Sequence, residues 1–197
     1  MVNEFSRIKR LPPYIFSEIN KLKDKMRLEG KDVINMGMGN PDLPTPKHIR
    51  DKLKEVVDKP GVGRYSVSKG IIGLRKAQSK YYERRFGVKI NPETEVAVTL
   101  GSKEGLANLA QAISSPGDFI ITPNPSYPIH PYGFIIAGAS LIHLKTIDNG
   151  IFDPETYLRR LDRAIRSSVP KPVALIVSFP SNPTAQVVDL NFYKEII

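Results

Sequence analysis

The sequence predicts an α/β fold with a mainly parallel sheet and helices on both faces. Three observations carry this. From residue 71 onward, segments with helical apolar spacing alternate with short apolar strand candidates. Ala174-Leu-Ile-Val177 is a continuous apolar run, as expected of a strand buried on both faces. Several strand candidates end in loops rich in glycine or proline.

Taken in order, residues 1–14 read as an extended arm ending in Pro12-Pro13. Ile15, Ile19, Leu22 and Met26 share one helical face, and Gly30 follows as a stop, which predicts a helix over 15–28. A short strand is expected over 33–36. The loop over 37–46 is punctuated by Gly37, Gly39, Pro41, Pro44 and Pro46, and a helix follows over 47–57. The alternating part is then helix 71–86, strand 95–100, helix 103–113, strand 119–122, helix 128–137, strand 140–144, helix 154–166 and strand 173–179. Asp189 is placed to cap a last helix starting at Leu190. Its apolar positions, Leu190, Tyr193 and Ile197, suggest an amphipathic segment that continues, so the chain is expected to stop inside an element.

Composition narrows the function classes. Apolar residues are 41% and charged residues 25% of the 197, a globular balance. No apolar run approaches the ~18 residues of a membrane span, and the polar, basic start lacks a signal-peptide core, so a cytoplasmic location is expected. There is no cysteine, which excludes disulfides and thiolate metal sites. The three histidines, His48, His130 and His143, are far apart in sequence, so no metal centre is expected. The formal charge of +9 is spread over amphipathic helices without an aromatic-interleaved basic tract. It suits anionic small ligands better than nucleic acid or a membrane.

Three loops carry chemistry. In Thr99-Leu-Gly-Ser-Lys-Glu-Gly105 a strand candidate ends at a glycine turn and a helix begins. The N–H groups of a first helical turn lack intrahelical partners, and the helix dipole favours an anion there. Gly101 permits close backbone approach, Ser102 adds a hydroxyl and Lys103 a positive charge, which makes a phosphate cup. In Pro123-Asn-Pro-Ser-Tyr-Pro128, Tyr127 sits past a strand, where a flat ring can stack on an aromatic cofactor or simply plug the sheet edge. In Ser178-Phe-Pro-Ser-Asn-Pro-Thr-Ala185, Asn182 offers an amide donor and acceptor at another strand end. In a parallel sheet such loops gather at one edge. A phosphate cup, a planar ring and an amide together are what a phosphorylated pyridine requires.

These residues resemble the class I/II aminotransferases of pyridoxal-phosphate fold type I, over essentially the whole chain. Met36-Gly-Met-Gly-Asn-Pro-Asp42 with Thr45-Pro46, then Tyr65, Gly70 and Leu74-Arg75, then Gly101-Ser-Lys, Tyr127 and Ser181-Asn-Pro-Thr184 stand in the family order. The wording is similar to the bacterial alanine and LL-diaminopimelate aminotransferase group; Ala185 stands where many relatives have glycine. The resemblance implies the cofactor pyridoxal 5'-phosphate, amino-acid and 2-oxo-acid substrates, and a homodimer. It implies that Gly101, Ser102 and Lys103 hold the cofactor phosphate, that Tyr127 lies against the pyridine ring and that Asn182 bonds its phenolic oxygen. Tyr65 would reach the cofactor phosphate of the neighbouring subunit. The Gly39 backbone would face the substrate carboxylate, and Tyr14 would border the substrate pocket.

The resemblance also implies a division into an N-terminal arm with a small-domain segment, 1–45, and an incomplete cofactor-binding large domain, 46–197. The family's Schiff-base lysine, its pyridine-nitrogen aspartate and its carboxylate-gripping arginine all follow the Asn-Pro-Thr loop. This stretch is therefore expected to be truncated, to contain no catalytic lysine and to be inactive alone. Ser66-Val-Ser-Lys69-Gly resembles a Schiff-base context, but it stands where relatives turn into a helix. Alternatives of the same fold are a carbon–sulfur lyase or a decarboxylase; a non-catalytic truncated product is a further one.

Overall fold

A computed structural model of the chain describes residues 5–37, 39 and 41–197. Met1–Glu4, and Met38 and Asn40 of the Met-Gly-Met-Gly-Asn-Pro-Asp segment, lie outside the described residues. The chain divides into two compact units, residues 12–96 and residues 1–11 with 97–197.

Alternation of side chains along parallel strands organises the second of these. Strand β1 (Phe119–Asn124) pairs in parallel with β2 (Ser140–Lys145) on one side and with β3 (Ala174–Leu175) on the other, giving the order β2-β1-β3. Successive residues point to opposite faces. Ile120, with Leu141, Ala174 and Ile176, packs against Ala110 of α5 (Ser102–Ile113) and Phe134 of α6 (Ile129–Ala137). Ile121, with Ile142, Leu175 and Val177, packs against Tyr157 and Leu161 of α7 (Pro154–Ser167) and Phe192 of α8 (Leu190–Ile196). Helices thus cover both faces, as the sequence predicts. Each fully buried Ile is worth roughly 1.5–3 kcal/mol over an exposed one.

Local chemistry ends each element. At the end of α6, Gly138 takes φ 99°, and the Gly138 and Ala139 N–H groups bond the Ile135 and Phe134 carbonyls, both at 3.0 Å. A side chain there would sit in left-handed backbone and meet Pro116 at 3.1 Å, so the turn into β2 needs glycine. Asp153 caps α7 by accepting from the Thr156 N–H at 3.0 Å, and Asp189 caps α8 by accepting from Phe192 N–H at 2.9 Å. The short helix α1 (Ser6–Lys9) lies against α6, where Arg7 donates to the Ile136 carbonyl at 3.3 Å.

The unit of residues 12–96 holds α2 (Ile15–Leu28), α3 (Lys47–Val57) and α4 (Ile72–Phe86). Among its described residues no apolar side chain is fully buried. Its buried residue is Arg75, whose guanidinium donates to the carbonyls of Gly70 (3.0 Å) and Pro92 and lies 3.3 Å from a Glu93 carboxylate oxygen.

Two strand expectations are corrected. Residues 33–36 and 95–100 have no ladder partner among the described residues. Ile34 (81%), Met36 (91%) and Leu100 (93%) stay exposed, while Val33, Val96 and Val98 are only partly buried. A short apolar run does not by itself make a strand, and neither segment joins the outer edges of β2 or β3. The last strand is also shorter than 173–179. Its ladder covers Ala174 and Leu175, flanked by bonds from Val173 N–H to Phe119 and from Ile176 N–H to Ile121, both at 2.9 Å.

Candidate cofactor site at the carboxyl edge of the sheet

The chain passes from β1 through α6 to β2 on one face, and from β2 through α7 to β3 on the other. The strand order therefore reverses between β1 and β3. In open parallel sheets a crevice forms at such a reversal, outside the carboxyl ends of the strands. Here the loops after β1, β2 and β3 border one small cavity, with Pro125 and Ser126 from the first, Thr146 from the second, and Ser178 and Asn182 from the third. Its volume, about 10 Å³, admits about one water. A pyridine ring needs far more room than this cavity holds.

Gly101 caps the N-terminus of α5 with φ 90° and ψ 160°, and no side chain caps this helix end. Nothing lies within 4 Å of where a Gly101 side chain would begin, so the approach to the first turn is open. Ser102 and Lys103 are exposed at that turn. Lys103 Nζ stands 5.2 Å from the centre of the Tyr127 ring. The segment before α5 is not a strand, yet its cup lies beside the loop that follows β1. Glu104 steadies it by accepting from the Leu100 N–H.

Tyr127 is half-buried and meets His130 edge-on, with ring centres 6.1 Å apart. Burial pulls the His130 pKa below its usual value, and its Nδ1 is buried without a hydrogen-bond partner. Asn182 is exposed on a loop that Ser181 ties together. The Ser181 hydroxyl lies 2.7 Å from that of Thr184 and donates to Gln186 Oε1 at 2.8 Å, and the Ala185 N–H donates to the Ser181 carbonyl at 2.7 Å. Ala185 sits at φ 58°, a left-handed conformation that favours glycine.

Thus Gly101, Ser102, Lys103, Tyr127 and Asn182 belong to one unit. Tyr14, Gly39 and Tyr65 belong to the other. Tyr14 precedes α2 and tilts against Phe16 at 5.5 Å; Gly39 is exposed in the loop before α3; Tyr65 is fully exposed in the loop before α4. Lys69 is exposed in a turn closed by Gly70 N–H bonding Val67 O at 2.7 Å. Among the described residues no group of histidines and carboxylates is placed to hold a metal. The sequence reading passed over Thr146, His130 and the role of Ser181. The rule that selected Tyr127 and Asn182, polar residues just past strands, also selects Thr146.

The sequence model of the family "Aminotransferase class I and II" matches residues 31–197. The chain belongs to this family. Its members depend on pyridoxal phosphate. The chain is 56% identical over 196 residues to a putative aminotransferase, AatC, of Rhizobium meliloti, covering 100% of this chain and 47% of that protein. It is 49% identical to the glutamate-pyruvate aminotransferase AlaC of Escherichia coli, covering 98% and 46%. It is 40% identical to an LL-diaminopimelate aminotransferase of Dehalococcoides mccartyi, covering 96% and 48%. A single mutant of Thermus thermophilus aspartate aminotransferase superposes with a TM-score of 0.85 at 28% identity, over 100% of this chain and 50% of that one. The fold is that of the fold type I aminotransferases. The chain spans about half the length of these relatives.

Proposed function

We propose that this chain supplies the cofactor-anchoring part of an enzyme that exchanges an amino group between an amino acid and a 2-oxo acid. The observation that carries the reading is the uncapped head of α5, with Lys103 Nζ 5.2 Å from the Tyr127 ring centre. It joins an anion site to a flat aromatic surface. The family's cofactor supplies an electron-withdrawing pyridine ring when bound. The first-turn N–H groups of α5, the Ser102 hydroxyl and the Lys103 ammonium hold its phosphate, with Gly101 keeping the approach open. Tyr127 lies against the ring and fixes its plane. The Asn182 amide donates to the ring oxygen.

Tyr14 and the Gly39 backbone border the substrate, and Tyr65 serves the phosphate of a neighbouring subunit, so the working unit is a homodimer. The 197 residues alone do not transaminate, because neither Lys69, in an exposed turn, nor Lys103, at the phosphate end, is placed to carry the cofactor covalently. Titration of the chain with pyridoxal phosphate, followed by absorbance, tests the anchoring. Saturable binding that weakens in both Tyr127→Ala and Asn182→Ala is expected. Unchanged binding in both would withdraw these two roles.

A further inference from the structure

We propose that Thr146 is a positioning residue that aims the Tyr127 loop; the inference rests on the cofactor-anchoring reading above. Thr146 is the first residue after β2 and is 9% exposed. Its N–H and its hydroxyl both donate to one acceptor, the Asn124 carbonyl, at 3.0 and 3.1 Å. Asn124 is the last residue of β1, and Pro125, Ser126 and Tyr127 follow it directly. The backbone bond merely continues the β1–β2 ladder past Asn124↔Lys145. The hydroxyl bond does not belong to the ladder. A valine would present the same branched shape to the sheet and keep the N–H bond. What the threonine adds is a second hold on the peptide plane from which the loop departs.

Orientation of that plane sets the direction of the next residues, since only two soft torsions per residue separate it from Tyr127. The cavity at the strand ends supports this. Thr146 borders it together with Pro125 and Ser126 of the Tyr127 loop and Asn182 of the opposite loop. Thr122 shows that the hydroxyl bond is not a general requirement of this sheet. It lies on β1, is completely buried, and its hydroxyl has no partner. The same Thr-to-Val change at the two positions therefore removes a loop contact in one case and none in the other.

The test compares the 197-residue chain with Thr146→Val, Thr146→Ser and Thr122→Val. Two quantities are read: the dissociation constant for pyridoxal phosphate, and, without any ligand, the ring-current shift that Tyr127 imposes on the side-chain protons of Lys103. Loss of one neutral hydrogen bond is worth roughly a fivefold change in an equilibrium constant. Thr146→Val is expected to weaken binding about fivefold and to diminish the ring-current shift. Thr146→Ser should restore both, and Thr122→Val should leave both as in the parent chain. Wild-type values in Thr146→Val, or equal losses in Thr122→Val, would overturn the proposal. If Thr146→Val does not fold, Thr146→Ser decides, because parent-like values are required of it and their loss overturns the role. A parent chain that binds no pyridoxal phosphate contradicts the cofactor-anchoring reading instead, while the ligand-free ring-current shift still decides the role of Thr146.

Discussion

Lys103 Nζ stands 5.2 Å from the centre of the Tyr127 ring, although Lys103 lies on α5 and Tyr127 on the loop after β1. One lies in the first turn of a helix that no strand precedes among the described residues. The other follows the central strand of the sheet. Their meeting brings the exposed first turn of α5 and the Tyr127 ring together without the regular strand that the sequence pattern expects before α5.

Replacing Lys103 by alanine is therefore expected to weaken pyridoxal-phosphate binding by roughly one to two powers of ten, the worth of a charge-assisted hydrogen bond. Lys103 is exposed, so thermal stability should change little. An absorbance titration beside a melting curve checks both. Parent affinity in Lys103→Ala would remove this residue from the site.

The backbone of the Asn182 loop supplies a second expectation. Ala185 holds φ 58°, where a Cβ costs roughly 1–2 kcal/mol and glycine nothing comparable. Ala185→Gly should raise the denaturant midpoint by about 1 kcal/mol in stability without changing the slope, less a few tenths for the freer unfolded chain. The Ser181 bonds that close the loop do not use the Ala185 side chain. A clear loss of stability would show that the left-handed turn is not strained.

Alkaline pH probes the α7 face of the core. The Tyr157 hydroxyl is pushed up to about 12, first by burial and then by neighbouring Tyr193. An unfolded tyrosine ionises near pH ~10. Below that pH both states keep the proton and the folded state has its full stability. Between about 10 and 12 the unfolded chain loses the proton and the folded one does not, so stability falls as pH rises through this window. Tyr157→Phe should flatten that fall, measured as denaturant midpoints from pH 8 upward. An identical fall in the variant would place the effect elsewhere.

Much of this was legible in the sequence, for physical reasons that differ by element. Helices α2 and α3 have the bounds that periodicity and flanking residues predict, because caps, prolines and glycines act locally. Asp189 caps its helix as expected from its position alone. Strands depend on partners, so residues 33–36 and 95–100 carried the composition of strands without their pairing. Lys103, Tyr127 and Asn182 could be singled out because their side chains carry recognisable chemistry just past strand-like runs. Thr146 also follows a strand, but its hydroxyl bond to a carbonyl far away in sequence exists only once β1 and β2 have paired. The same holds for Ser181, whose bonds exist only once the loop has closed.

The central claim is that these 197 residues anchor the cofactor but do not carry it covalently. The most direct test reduces the purified chain with borohydride in the presence of pyridoxal phosphate and maps the labelled peptides, while amino-group transfer from alanine, aspartate and glutamate is assayed in parallel. The account predicts no lysine labelled stoichiometrically and no transfer. Stoichiometric labelling of a single lysine, Lys69 or Lys103 included, together with turnover would contradict it.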